Sequence, residues 1–363
     1  MSQITYILSI LSSSINTSIK PNLINRLNVS RHLQAGNNFD TDGFCHELNL
    51  NPEQIERFKD SYSQSSWKTF TELLERHKIS AVNLFEPDYP KILKELPDPP
   101  LVLFYRGDLK IIDDNYNIAV VGSRKATSYG LSVTEKIIAD LAGTPIKIIS
   151  GLAYGIDAQA HESALKNNLP TIAVLGTGID NQNIYPRTNY NLAIEILESG
   201  GLLISEYPPL SSGLPYQFVA RNRIIAGLSQ VTIVVEAAKK SGALITADFA
   251  MDYNRSVYAV PNSIFSSQSE GPNKLIQTGA ELLTSSTQIL KEFNLKTKPA
   301  KRQKLNLNPE LENVLKYIRQ EPRGFEEIQT ELSMSAASLS AIITELELLG
   351  MIKESTPQIY TSI

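Results

Sequence analysis

Apolar positions follow three different rhythms along this chain. Up to about residue 85 they recur at helical spacing, broken by polar turns such as Gln34-Ala35-Gly36-Asn37-Asn38, with few strand signals. That predicts a small helical domain over 1–85. From Asp88 to Gly107 come Pro90, Pro97, Pro99 and Pro100. So many prolines forbid a long helix, and an extended connector is expected. From Asn117 to about Ser285 the rhythm becomes short apolar runs separated by helix-length amphipathic segments. The runs are 118–121, 146–149, 171–175, 202–204, 231–235 and 257–260. They are β-branched and apolar throughout rather than alternating, as strands buried on both faces are. Helices between successive strands then imply an α/β, doubly wound parallel sheet over 86–290. In such sheets ligands bind at the carboxyl ends of the strands.

Residues 291–305 read as a basic linker: Lys296, Lys298, Lys301, Arg302 and Lys304 occur there with Pro299 and no acid between them. Beyond it, helical patterns at 309–319, 325–332 and 336–349 precede two strand-like pieces, 351–354 and 358–361. Three helices and a closing hairpin over 306–363 predict a winged-helix domain.

Composition narrows the chemistry. The 363 residues carry 34 Lys and Arg against 38 Asp and Glu, a formal net charge of -4. A nucleic-acid site would therefore have to be a local cluster of cations. Cys45 is the only cysteine, which excludes an intramolecular disulfide or a thiolate cluster. His32, His46, His77 and His161 lack metal-ligand spacing, so neither metal nor cofactor is expected. The apolar run Ile4 to Leu11 is short and no cation precedes it, so a buried helix fits better than a signal peptide. No run is long enough to span a bilayer, and a cytoplasmic protein is expected.

The candidate sites fall at strand ends. The first strand runs into Gly122-Ser123-Arg124, a tight turn whose following helix N-terminus and guanidinium suit a phosphate. A glycine turn with a solvated arginine fits equally. The second strand ends in Ser150-Gly151, followed by Asp157 and His161. Asp157 reads as a cap or a partner for a neighbouring turn, and His161 as structural. Gly176-Thr177-Gly178 only begins like a dinucleotide fingerprint, because Asn181 holds the third glycine position. On a helix, Phe218, Arg221, Asn222 and Ile225 would share one face while Arg223 points elsewhere. That face could stack a base and hold a phosphate; a core phenylalanine beside a paired arginine fits as well. Glu236 ends the fifth strand, where it could accept bonds from Arg221 or Arg223; a capping role at a helix N-terminus fits as well. Lys239, Lys240, Ser241 and Gly242 follow on the same edge.

In their order these motifs resemble the DNA-processing protein A family, also called DprA or Smf. The stretches concerned are VVGSRKATSYG from Val120, SGLAYGIDAQAH from Ser150, ISEYPP from Ile204, FVARNRIIAGLS from Phe218, VVEAAKKSGALITA from Val234 and LIQTGA from Leu275. The resemblance implies an extended Rossmann-like domain that binds single-stranded DNA, a homodimer, and loading of RecA recombinase during natural transformation. It further implies that Arg124, Phe218, Arg221, Arg223 and Lys240 face the DNA. The chain departs from the family pattern at Tyr154 (usually basic), at Asn262 (usually the glycine of a strand-end Pro-Gly) and at Pro272 (usually cysteine). The loop Asn181-Gln182-Asn183 is also longer.

Two other functions compete. A nucleotide-binding or nucleotide-processing Rossmann-like enzyme uses the same kind of sheet, but no acid–base pair or nucleophile set can be named here. A protein-interaction role fits the last domain: residues 301–363 hold seven Lys and Arg against nine Asp and Glu. A winged helix reading DNA needs the opposite balance.

Overall fold

A computed structural model describes residues 40–47, 50–61, 64–112, 115–295 and 308–362. The expected helix at Ile4–Leu11, the turn at 34–38 and the basic segment 296–304 lie outside them. The chain divides into two compact units, Met1–Lys298 and Pro299–Ile363.

The described residues of the first unit include helices α1 (Thr41–Glu47), α2 (Pro52–Ser61) and α3 (Gln64–Arg76), then strand β1 (Ser80–Asn83), helix α4 (Lys91–Lys94) and β2 (Val102–Arg106). Alternation follows: β3 (Asn117–Val121), α5 (Ser128–Ala139), β4 (Lys147–Ser150), α6 (Ile156–Lys166), β5 (Thr171–Leu175), α7 (Tyr190–Glu198) and β6 (Leu202–Ser205). It continues through α8 (Pro215–Gly227), β7 (Val231–Val234), α9 (Gly242–Asp252), β8 (Ser256–Ala259), α10 (Glu270–Gln277), β9 (Glu281–Leu282) and α11 (Ser286–Glu292). Among the described residues, these nine strands form one sheet in the order β1-β2-β6-β5-β4-β3-β7-β8-β9. Pairing is parallel from β6 to β9 and antiparallel at β1–β2 and β2–β6.

Each central strand feeds two cores. Ile118 and Val120 lie in one apolar cluster with Ile148 and Ile233, while Ala119 and Val121 lie in the other with Ile149 and Val234. Alternate residues thus point to opposite faces of the sheet and both are apolar. The second cluster also takes in Phe44, Phe58 and Leu74 from the N-terminal helices, together with Phe104 of β2.

Two expectations need correction. The sequence carries few strand signals before residue 85, yet Ser80–Asn83 forms the edge strand β1. The proline-rich stretch is more than an extended connector, since α4 forms directly after Pro90 and β2 enters the sheet. The prolines end at Pro100, and the run Leu101–Phe104 after them is fully buried, which holds β2 against β6. The Tyr89 hydroxyl fastens the turn by donating to the Pro100 carbonyl at 2.7 Å.

The second unit contains α12 (Pro309–Ile318), β10 (Arg323–Gly324), α13 (Phe325–Glu331), α14 (Ala336–Leu348), β11 (Ile352–Thr356) and β12 (Ile359–Ser362). The strands pair antiparallel in the order β10-β12-β11. Asn308 and Ser335 cap α12 and α14 by accepting from the backbone N–H groups of Glu310 and Ser338. Leu311, Leu315, Ile328, Leu339, Ile343 and Leu346 form its core. This is the expected winged helix. No helix among the described residues is long and apolar enough to cross a membrane.

Candidate nucleic-acid interface

The chain lays down β3 to β6 on one side of β3, then returns to place β7 on its other side. The strand order reverses there, leaving a crevice above the carboxyl ends of β3, β4 and β7. A cleft of about 860 Å³ occupies that position. Its walls come from several loops: Gly122, Ser123, Arg124 and Lys125 after β3, Ala153 after β4, Tyr185 after β5 and Gly213 after β6. Phe218, Arg221, Asn222 and Ile225 of α8 form one side, so the face deduced from helical spacing is the one turned to the cleft. Lys240, Ser241 and Gly242 complete it. Four cations line the cleft against one acid, Asp157.

At the mouth, the exposed Arg124 places its guanidinium carbon 6.0 Å from the Phe218 ring centroid. The Phe218 ring is 5.5 Å from that of Tyr185, with the planes at 52°. The Arg124 turn is shaped by its neighbours. Ser123 Oγ accepts from the Lys125 N–H at 3.0 Å, and Thr127 caps α5 by accepting from the Gly130 N–H at 3.2 Å. Gly155, at φ +73°, lies so close that an added Cβ would come within 2.3 Å of the Ser123 carbonyl oxygen. Only glycine fits that backbone and that approach.

The floor is an arginine held from below. Arg221 is 4% exposed. It donates to the Gly151 carbonyl at 2.8 Å, to the Val174 carbonyl, and through Nε to Asn222 Oδ1 at 3.2 Å. Asn222 in turn donates to the Gly242 carbonyl at 3.1 Å, tying α8 to the start of α9. Burial pulls the Arg221 guanidinium down to about 10; Asp157 opposes the shift and Arg124 adds to it. Arg221 therefore keeps its charge at neutral pH. Asp157 Oδ2 accepts from the N–H groups of Gly151 (3.1 Å) and Ala153 (3.4 Å), so it braces the β4–α6 loop. Burial raises its carboxyl despite Arg221 and those bonds.

The remaining candidates sit elsewhere. Ser150 Oγ donates to the Val120 carbonyl at 2.7 Å, a bond between adjacent strands. Gly151 lies beneath Arg221: a Cβ there would come within 2.7 Å of both the guanidinium and the Asp157 carboxylate. Lys239 is exposed beside Lys240 but outside the cleft lining. Arg223, 3% exposed, also lies outside it. It donates to both oxygens of Glu206 at 2.7 Å and pairs with Asp98 at 3.0 Å. Burial alone would lower its pKa, but Glu206 and Asp98 outweigh it and leave it raised.

Of the two roles open to Glu236, the arginine partners are not seen, and the carboxylate instead lies at the N-terminus of α5. It accepts from Thr127 N (2.8 Å), Thr127 Oγ1 (2.5 Å) and Asn262 Nδ2 (3.2 Å), not from either arginine. Arg221 bonds to carbonyls and Asn222 instead, and Arg223 to Glu206 and Asp98. Glu236, wholly buried, serves to tie together the loops after β3, β7 and β8. Tyr185 and Lys125 were missed as lining residues. Lys125 adjoins Arg124 and could have been included on that ground. Tyr185 arrives from the β5–α7 loop, 33 positions from Phe218, and no local spacing reports that contact.

A family model for DNA recombination-mediator protein A matches residues 80–294, and one for the DprA winged helix domain matches 298–356. A protein named Smf from a Synechocystis species is 38% identical over 307 residues, covering 74% of this chain and 76% of its own. The X-ray structure of DNA processing protein A from Streptococcus pneumoniae aligns with a TM-score of 0.69 at 35% identity, over 82% of this chain and 100% of that one. DNA processing protein A from Helicobacter pylori, described for its single-stranded DNA binding mode, aligns with a TM-score of 0.53 at 31% identity, over 60% of this chain and 97% of its own. The chain is a member of the DNA recombination-mediator protein A family, known as DprA or Smf.

Proposed function

We propose that this protein binds single-stranded DNA in the cleft at the β3/β7 switch point, protects incoming strands and loads RecA recombinase onto them during natural transformation, acting as a cytoplasmic homodimer without catalysing a reaction. The observation that carries the DNA part is the pairing of Arg124 with Phe218 at the cleft mouth. A cation for the backbone and an aromatic face for a base are the two elements of sequence-tolerant strand binding. The backbone passes over Gly122, Ser123 and Arg124 and over Lys240, Ser241 and Gly242, and Asn222 and Arg221 supply charge and polarity from below. Ser150, Gly151 and Arg223 hold that floor and its helix in place, and Lys239 adds charge at the rim. The description of the Helicobacter pylori relative supports the strand preference. The family's description as recombination mediators supports the hand-over to a recombinase.

Against the nucleotide-processing reading stands the use already made of the acids nearest the cleft. Asp157 and Glu236 are buried and accept structural hydrogen bonds, which leaves neither poised to move a proton. Purified protein should turn over neither nucleotides nor DNA; hydrolysis that disappears in Asp157→Asn with the fold intact would overturn this.

Arg124→Ala tests the site. Binding should weaken across all sequences by roughly 1.5–3 kcal/mol, the range for a charge-assisted contact. The log–log salt slope should flatten by about 0.7, for one single-strand phosphate. Arg124→Lys should restore only part, because it keeps the charge and loses the fork. Unchanged affinity with an unchanged slope would remove Arg124 from the site.

A further inference from the structure

Among the described residues, the most exposed large apolar side chains are Phe265, at 95%, and Ile264, at 85%. They stand together at the tip of the loop between β8 and α10. This loop is internally braced. The Phe265 N–H donates to Ser263 Oγ at 3.3 Å and the Ser266 N–H to the Ser263 carbonyl at 3.1 Å. The buried Ser269 hydroxyl lies 2.6 Å from the Ser263 carbonyl. At the base, Asn262 N–H donates to Asn273 Oδ1, and Asn273 Nδ2 donates back to the Asn262 carbonyl. The turn thus holds the tip outward instead of letting it fold onto the sheet.

The location of this tip gives it a use. The Ala237 N–H donates to the Gln268 carbonyl and the Gly271 N–H to the Ala237 carbonyl, both at 2.8 Å. Those bonds stitch the loop to the segment carrying Lys239 and Lys240, both exposed and without an ion pair among the described residues. Gln268 itself lines the cleft. Phe265 is three residues away, no more than about 11 Å along the chain. It therefore stands within that reach of the cleft rim, on the loop bonded to the segment that leads into Lys239 and Lys240.

We propose that Phe265, with Ile264, is a second base-stacking platform, met by the strand as it leaves the cleft past Lys239 and Lys240. This rests on the single-stranded DNA reading above. Aromatic faces interleaved with cations are what a strand can follow without regard to sequence. A second copy of the chain is the other occupant to consider. Two side chains of this size bury about 400 Å² at most, well short of the ~800 Å² per partner of a stable interface. The single base face of a nucleotide matches the size of the patch.

The test is a fluorescence anisotropy titration of the full chain with oligothymidylates of increasing length, using wild type, Phe265→Ala and Phe265→Trp. The shortest oligonucleotides that bind should show equal affinity for wild type and Phe265→Ala, while longer ones should bind Phe265→Ala roughly 5-fold or more weakly. Phe265→Trp should keep the long-strand affinity, and its emission should be quenched beyond that of wild type, whose one tryptophan is Trp67. Equal affinities at every length with no added quenching would overturn the platform. So would a Phe265→Ala variant that binds DNA normally but sediments at lower mass, since the tip would then be a contact between copies. Failure of wild type to bind any oligonucleotide would remove the DNA reading and this platform with it.

Discussion

Arg221, Arg223 and His161 show how a side chain's partners decide its part. Arg221 and Arg223 lie two positions apart on α8 and are buried to the same degree. One is held by carbonyls under the cleft and the other by two carboxylates outside its lining. Arg223→Ala should cost about 3–5 kcal/mol of stability, because it breaks a buried bidentate ion pair by removing one partner. Urea denaturation would check this, and a midpoint near wild type would contradict it. His161 makes a prediction about pH. The Thr171 hydroxyl donates its one proton to the Ile148 carbonyl, so His161 Nδ1, 2.7 Å away, must be the donor to Thr171. Nε2 is then bare, buried and without a partner among the described residues. Burial, with Arg221 nearby, pushes the His161 pKa down to about 3. Between that value and the unfolded pKa the unfolded chain binds the extra proton, so the contribution is complete above about pH 6.5 and is lost as pH falls. Its slope approaches ~1.4 kcal/mol per pH unit. His161→Gln should flatten the stability profile between about pH 6.5 and 5. Equal slopes for variant and wild type would contradict the buried neutral histidine.

At the scale of elements, the cleft depends on loops fastened to one another more than on any one of them. Glu236 joins three. Glu236→Ala should leave the Thr127 N–H and Asn262 amide without their acceptor and lower stability by about 1–3 kcal/mol; an unchanged denaturation midpoint would show the brace to be dispensable. The central strands were legible in the sequence because each is apolar on both faces, and the runs at 171–175 and 202–204 coincide with β5 and β6 to within a residue. β1 and β2 were not, since a short strand on a mixed edge is defined by its partner. β2 pairs with β6, about 100 positions on. The same limit applied at the site. Helical spacing placed Phe218, Arg221, Asn222 and Ile225 on one face. It could not report that Arg221 turns inward to a carbonyl 70 positions away, or that Tyr185 meets Phe218.

At the scale of the molecule, a net charge of -4 means that the proposed attraction to DNA has to come from local cations such as those of the cleft and not from the overall field. The acidic winged-helix unit is expected to add little to it, since α14 carries no lysine or arginine to offer a major groove. Truncation near Lys304 should change DNA affinity by less than tenfold, about 1.4 kcal/mol, and a larger loss would place the winged helix on the DNA. The central claim is that the switch-point cleft takes a single strand, with a base on Phe218. The measurement that tests it most directly is a matched-salt titration of wild type and Phe218→Ala with single-stranded and duplex oligonucleotides of one sequence. Wild type should prefer the single strand, whose bases are free to stack, and Phe218→Ala should lose roughly 1–3 kcal/mol on the single strand alone. Equal affinity of wild type for the two forms, with Phe218→Ala binding as wild type does, would contradict the account.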